Sequence, residues 1–227
     1  MMGVVAMSTL HGQDVFSVLI AYLLGAIPFS YLIARWRAGI DIRERGEGNV
    51  GARNVYHVVG PVWGVLAGLL DTGKGLAAYL VADRLAFSPT AVLLCGFAAP
   101  LGHNFSLFLR FRGGKGVATT MGFLLGFLPF STLSGGVLVA LVYFITRDLN
   151  KALVLGLPGV ILLPPIFGAP LWAVLYVLCL FLLLAVKKII DMPHERAVWA
   201  RHPWEKGRPG FHPESPEEIN REPVTHL

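Results

Sequence analysis

Apolar and polar positions do not alternate finely along this chain. They separate into long uncharged runs and short polar connections. Val15 to Ala34 supplies about the twenty residues that a hydrocarbon core of roughly 30 Å requires, interrupted by Pro28. A second run, about Val58 to Leu80, carries Asp71 and Lys74, and a third extends from about Leu85 to Leu101. Val117 to Thr146 contains no charge; at 1.5 Å per residue it would reach about 45 Å, long for one crossing and short for two. Ala152 to Val186 is similar, with Pro164, Pro165 and Pro170 near its middle. Breaking these two runs at Pro129 and at Pro164 to Pro170 makes each a hairpin. The pattern predicts an all-α polytopic membrane protein of about seven transmembrane helices. Residues 1–190 form one transmembrane domain, and 191–227 form a cytoplasmic, proline-rich tail, largely irregular after one helical turn.

Composition sharpens this picture. Of 227 residues, 55% are hydrophobic and 15% charged, against about 25% charged in soluble proteins. Mean hydropathy is +0.63, more apolar surface than a soluble globule could bury. Cys95 and Cys179 both lie in apolar runs and read as free, buried thiols rather than a disulfide. The net charge of +5 forms no soluble basic patch, so a nucleic-acid partner is not expected.

Seventeen of the nineteen Lys and Arg residues fall in four connections. These are Arg35 to Arg53, Arg110 to Lys115, Arg147 to Lys151, and Lys187 to Arg221. With seven spans all four face one side, as the positive-inside rule requires, placing the N-terminus outside and the C-terminus in the cytoplasm. Met1 to Asp14 has no Lys or Arg, hence no signal-peptide n-region, and Met2 and Met7 are alternative starts. The pairs Gly64/Gly68 and Gly122/Gly126 would allow close helix approach, but such pairs arise readily among twenty-six glycines.

Two connections on the basic side share an unusual composition. The first reads Gly46-Glu47-Gly48-Asn49-Val50-Gly51-Ala52-Arg53-Asn54. The second reads Gly102-His103-Asn104-Phe105, then Phe111-Arg112-Gly113-Gly114-Lys115-Gly116-Val117-Ala118-Thr119-Thr120. Glycines beside Asn, Lys and Thr let backbone N–H groups crowd around a phosphate, and the second loop runs into a helix whose N-terminus favours an anion. The Walker A order is absent, which argues against an ATPase. Two such loops on one membrane face suggest two anionic groups handled together. Asp71 and Lys74 share a helix face inside the membrane, either as functional groups or as a neutralising pair. His57, His194, His202 and His212 have no metal spacing, and no serine sits in a nucleophile elbow.

Together these segments resemble the bacterial acyl-phosphate-dependent glycerol-3-phosphate acyltransferase family. The resemblance runs over roughly residues 20 to 202. It rests on Gly25-Ala26-Ile27-Pro28-Phe29-Ser30-Tyr31-Leu32, the Gly46 to Asn54 loop, Asp71-x-x-Lys74-Gly75, and most of all Gly102-His103-x-Phe105 through Thr119. It implies transfer of an acyl group from a long-chain acyl phosphate to the 1-hydroxyl of glycerol 3-phosphate. Lysophosphatidic acid and phosphate leave on the cytoplasmic side of the bacterial inner membrane. The resemblance implies no metal or organic cofactor, no protein nucleophile, and the lipid bilayer as environment; it assigns no oligomeric state. It implies that Lys115 supplies charge to phosphate beside Gly113, Gly114, Gly116 and Thr119. Asn49, Gly51 and Asn54 would shape the other anion pocket. Lys74, Gly102, His103, His202 and Arg208 would complete the site, with His202 on the acceptor phosphate.

The chain also departs from the family pattern. Glu47, Arg53 and His57 stand where the family has Ser, Thr and Arg, and Asp148-Leu149-Asn150 replaces Tyr-x-Ser. In Arg201-His202-Pro203-Trp204-Glu205, Glu205 replaces Asn. These departures open a second reading, a divergent member with altered or lost acceptor activity that still binds a phosphorylated ligand. A small membrane transporter is a third reading, disfavoured because the polar residues gather on one face.

Overall fold

The computed structural model describes residues 11–203, and those residues form helices with no strand among them. In chain order they are α1 (Gly12–Ala26), α2 (Phe29–Ala38), α3 (Ala52–Val58), α4 (Pro61–Leu85) and α5 (Pro89–Asn104). These are followed by α6 (Val117–Phe127), α7 (Pro129–Thr146), α8 (Leu149–Leu162) and α9 (Trp172–Arg201). Five stretches are long and apolar enough to cross a membrane: Gly12–Ala38, Pro61–Leu85, Pro89–Leu109, Pro129–Thr146 and Trp172–Arg201. Two shorter apolar helices, Val117–Phe127 and Lys151–Leu162, accompany them.

Proline punctuates the bundle where expected. The first run breaks at Ile27–Pro28, the fourth at Pro129 and the fifth around Pro164 to Pro170. Other boundaries differ from the hydropathy reading. The second span starts at Pro61 rather than Val58 because Gly60, at φ +141°, turns the chain and Pro61 fits the first helical turn. The third starts at Pro89 because the Ser88 hydroxyl accepts the Ala91 N–H as an N-cap. The division expected at residue 190 falls inside α9, which continues through Pro193 to Arg201 instead of becoming irregular after one turn.

The core is built from small residues. Ala21, Ala78, Ala82, Cys95, Ala98 and Ala99 pack around Phe123, and Leu124, Tyr176, Val177 and Leu180 form the neighbouring cluster. Gly75 and Gly122 bring α4 and α6 together: a Cβ on Gly75 would stand 2.0 Å from the Thr119 carbonyl oxygen, and one on Gly122 would stand 1.9 Å from that of Thr72. Gly64 and Gly126 also sit at close approaches, against Tyr56 and the Tyr79 ring, so these sequence glycines carry more packing than their chance frequency suggested. Large apolar side chains such as Val62, Leu69, Phe144, Ile145 and Leu175 point outward, as a lipid-facing surface requires. Cys95 is a buried free thiol as expected, whereas Cys179, also free, is exposed.

The bundle has two distinct ends. At one, buried Asp14 in α1 accepts the Phe87 and Ser88 N–H groups and pins the turn between α4 and α5. At the other, the 39–60 connection, the 105–116 connection and the last turns of α9 converge.

Candidate active site

The first of these connections is organised by Asn54. Its Oδ1 accepts the Glu47 N–H at 2.9 Å. Its Nδ2 lies within 3.0 Å of the carbonyls of Ile42, Arg45 and Asn49, which share its two hydrogens. Fully buried, Asn54 therefore shapes the loop through its backbone, leaving its amide committed to the fold. Asn49 lies over Gly51, where a Cβ would meet the Asn49 Nδ2 at 2.8 Å. Arg43 chelates Asp41 at 2.6 Å. Burial alone would raise the Asp41 carboxyl, but hydrogen bonds and charge from Arg43 hold it below the ordinary carboxylate range.

The glycine loop packs against the end of α5. Gly113 and Gly114 donate their N–H groups to the carbonyls of Asn104 and His103, both at 3.1 Å. Side chains are excluded there: a Cβ on Gly113 would stand 1.9 Å from the His103 oxygen, and one on Gly114 would stand 2.1 Å from the Val50 oxygen. The N–H groups of Gly113 and Gly114 are therefore committed to the end of α5. Gly116, at φ +79°, caps α6, whose first-turn N–H groups have no partner within the helix. Gly102 serves packing, since a Cβ would meet the Tyr22 carbonyl of α1 at 2.1 Å.

A buried polar cluster supports this loop from within the bundle. Lys74 Nζ lies 2.8 Å from Asp71 Oδ1, and Ser30 donates to Asp71 Oδ2 at 3.0 Å. Lys74 also donates to the Ile27 carbonyl at 2.6 Å, while Ser106 donates to that of Ala26 at 2.6 Å. These two side chains satisfy carbonyls exposed by the α1–α2 break. Lys74, 4% exposed, thus sits inside the bundle beside Asp71, where its place in an apolar run put it. His103 Nδ1 lies 3.3 Å from the Thr119 hydroxyl and 3.6 Å from Asp71 Oδ1. Its Nε2 is directed toward Gly114. His103 and Thr119 accordingly position the glycine loop from behind.

Lys115 projects from the loop into an ionic network. Its Nζ is 2.9 Å from Glu195 and 4.0 Å from Glu47; Glu195 also pairs with Lys188, and Glu47 with Arg53 at 3.2 Å. Burial and the positive charge of Arg53 hold His57 below the ordinary histidine value, despite Glu47. His202 lies with Nδ1 2.9 Å from Arg45 Nη1, and its carbonyl accepts the Gly46 N–H, tying α9 to the first loop. Arg208 and Glu205 lie outside the described residues, as does the Asn150 side chain.

Two cavities flank this arrangement, divided by α9. One of about 270 Å³ lies between Gly113, Arg112, Phe105, Phe111 and the α9 residues Lys187 and His194. The other, about 540 Å³, is bounded by Glu47, Arg53, Lys188, Glu195, Arg196 and Trp199. Residues three, four and seven apart share a helix face, so Lys187, Asp191 and His194 serve the first cavity while Lys188, Met192 and Glu195 serve the second. The sequence reading missed these α9 residues, taking Lys187 and Lys188 only as topological charges. Their one signal was a helical spacing that continues past the apolar run.

Fold and site define a helical membrane protein with a cationic, glycine-lined site at one end of its bundle. Residues 15–194 match the family model described as glycerol-3-phosphate acyltransferase, and the chain belongs to that family. It is 43% identical over 166 residues to the glycerol-3-phosphate acyltransferase of Roseiflexus sp., covering 68% of this chain and 81% of the relative. The Thermosipho melanesiensis enzyme is 38% identical over 79% of this chain and 88% of its own. The match to the Thermotoga petrophila enzyme, 47% identical over 104 residues, covers 46% of this chain and about half (53%) of that relative. Among solved structures, PlsY (YgiH), an integral membrane glycerol 3-phosphate acyltransferase, superposes in its glycerol 3-phosphate form with a TM-score of 0.72 and 30% identity. That comparison covers 86% of this chain and 96% of the other. The lysophosphatidic acid form superposes with a TM-score of 0.70.

Proposed function

We propose that this protein transfers a fatty acyl group from acyl phosphate to the 1-hydroxyl of glycerol 3-phosphate, releasing lysophosphatidic acid and inorganic phosphate. The observation carrying this reading is the pair of cavities on either side of α9. The reaction brings two phosphorylated molecules together. The smaller cavity combines Arg112 and Lys187 with Phe105, Phe111 and Ile190, suiting an acyl phosphate whose chain continues into lipid. The larger sets Arg53, Lys188 and Arg196 beside Glu47 and Glu195, suiting a phosphate that carries hydroxyls.

In this scheme the glycerol hydroxyl attacks the acyl carbonyl carbon, and the carbon–oxygen bond to phosphate breaks. The hydroxyl proton leaves to a phosphate oxygen. Acyl phosphate is already activated, so the protein supplies positioning and charge: Lys115 on the phosphate, and the first turn of α6 beside it. Asn49, Gly51 and Asn54 hold the first loop in shape; His103 and Thr119 hold the second. The seven apolar segments all cross the bacterial inner membrane, the five long ones and the two short ones, with the site on the cytoplasmic face. Trp36 and Trp63, in edge contact with Arg37 over the latter ring, mark that interface.

The test is radiolabelled glycerol 3-phosphate offered to purified protein with palmitoyl phosphate or palmitoyl-CoA. Lysophosphatidic acid should form from the acyl phosphate alone. Product from the thioester alone would overturn the choice of donor, and absence of product from either would overturn the acyltransferase reading.

A further inference from the structure

Glu195 lies one residue beyond the stretch that matches the family model, yet its carboxylate meets the central cation of the glycine loop. Its side chain is 8% exposed and stands between Lys115, at 2.9 Å, and Lys188, seven residues earlier on the same face of α9. Glu47 approaches the same Lys115 from the first loop at 4.0 Å while remaining paired with Arg53. Three cations, Arg53, Lys188 and Arg196, line one cavity with Glu47 and Glu195, and Lys115 reaches both carboxylates from the glycine loop. A phosphate dianion and a carboxylate compete for the same ammonium, and a half-buried cation cannot satisfy both at full strength.

We propose that Glu195 is a carboxylate placeholder for phosphate: it holds Lys115 in position, is displaced by the substrate phosphate, and so sets the protein's phosphate affinity. Glu195 acts through Lys115 and is a positioning residue. Tethered on α9, it keeps the lysine extended into the site at low substrate, at the cost of weaker phosphate binding. Lys188 takes up the released carboxylate, so the exchange leaves no buried charge without a partner.

This inference rests on the reading of Lys115 as a phosphate cation, and its test separates the two. Binding of inorganic phosphate to the full-length protein in detergent is measured by calorimetry, with acyl transfer followed in parallel. Glu195→Gln keeps the shape and removes the competing charge; its phosphate dissociation constant should fall by about tenfold. The gain from Glu195→Gln should be at least as large when Lys188→Met is present in both members of the comparison, because the competition runs through Lys115 and the released carboxylate then has no partner; a gain lost with Lys188→Met would overturn the proposal. Phosphate affinity that is unchanged or weaker in folded Glu195→Gln overturns the proposal. If that variant is not recovered folded, Glu195→Asp, one methylene shorter, should tighten phosphate about threefold, and unchanged affinity there overturns it equally. Tighter phosphate without acyl transfer by any form would defeat the acyltransferase reading alone. Transfer with unaltered phosphate affinity would defeat the placeholder alone.

Discussion

Gly75→Ala adds one methyl group at the crossing of α4 and α6. Its Cβ would lie 2.0 Å from the Thr119 carbonyl oxygen, 2.8 Å from the carbonyl carbon and 3.0 Å from the Phe123 nitrogen, all backbone atoms that cannot rotate away. Relieving this to about 3 Å requires the helices to part by about 1 Å, in an interior packed as densely as an organic crystal. Overpacking of this kind costs about 1–3 kcal/mol. Thr119 contacts His103, and His103 lies behind Gly114, so the displacement reaches the glycine loop. A misplacement of about 1 Å can cost about a hundredfold in rate. Gly73, two residues earlier on α4, has nothing within 4 Å of its Cβ position and is the control. Thermal unfolding in detergent and steady-state kinetics should show Gly75→Ala destabilised and slow, with Gly73→Ala neutral or slightly stabilised. Equal behaviour of the two variants, or a fully active Gly75→Ala, would refute the argument that this crossing positions the site.

Asp71→Asn should leave Lys74 without its counter-ion and cost about 3–5 kcal/mol in chemical unfolding, while Asp71→Asn with Lys74→Met should recover most of the loss. Asn54→Ala removes the hub that joins Ile42, Arg45, Glu47 and Asn49; a loss of about 2–3 kcal/mol is expected, with faster hydrogen exchange confined to residues 42–49. Because His57 titrates below its unfolded value of about 6.5, acidification protonates the unfolded chain first. The stability it permits at neutral pH is therefore lost as pH falls, and His57→Gln should flatten the melting temperature between about pH 7.5 and 5.5.

Hydrophobic runs and prolines made much of the fold legible before any coordinates. Pro28, Pro129 and the Pro164 to Pro170 group mark real breaks because each denies a helix its backbone donor. Hydropathy misplaced the starts of α4 and α5 by several residues, although Pro61 and Ser88-Pro89 are helix-start signals in their own right. It also passed over α3, whose polar residues carry no membrane signal. The packing of Gly75 on α6 and Gly122 on α4 was not readable, since it depends on which helices cross. At the site, Lys115 announced itself through its glycines. Lys188 and Glu195 did not: they lie a full heptad apart, on a helix that hydropathy ends near residue 186 and hydrogen bonding carries to Arg201. Lys74 left two readings open, a functional group or a partner for Asp71, and the structure shows the pair. A charge within an apolar run signals either chemistry or a broken helix in need of a donor, and here it serves the break at Ile27.

The central claim is that Lys115, on the glycine loop and paired with Glu195 of the larger cavity, brings an acyl phosphate and glycerol 3-phosphate to one reaction. Its most direct test follows phosphate release and lysophosphatidic acid formation in the same vessel, for the native protein and Lys115→Ala. The account predicts equal rates of the two products in the native protein, and both rates lower by about a hundredfold or more in the variant. Phosphate released without lysophosphatidic acid, or a folded Lys115→Ala protein that works at the native rate, would contradict it.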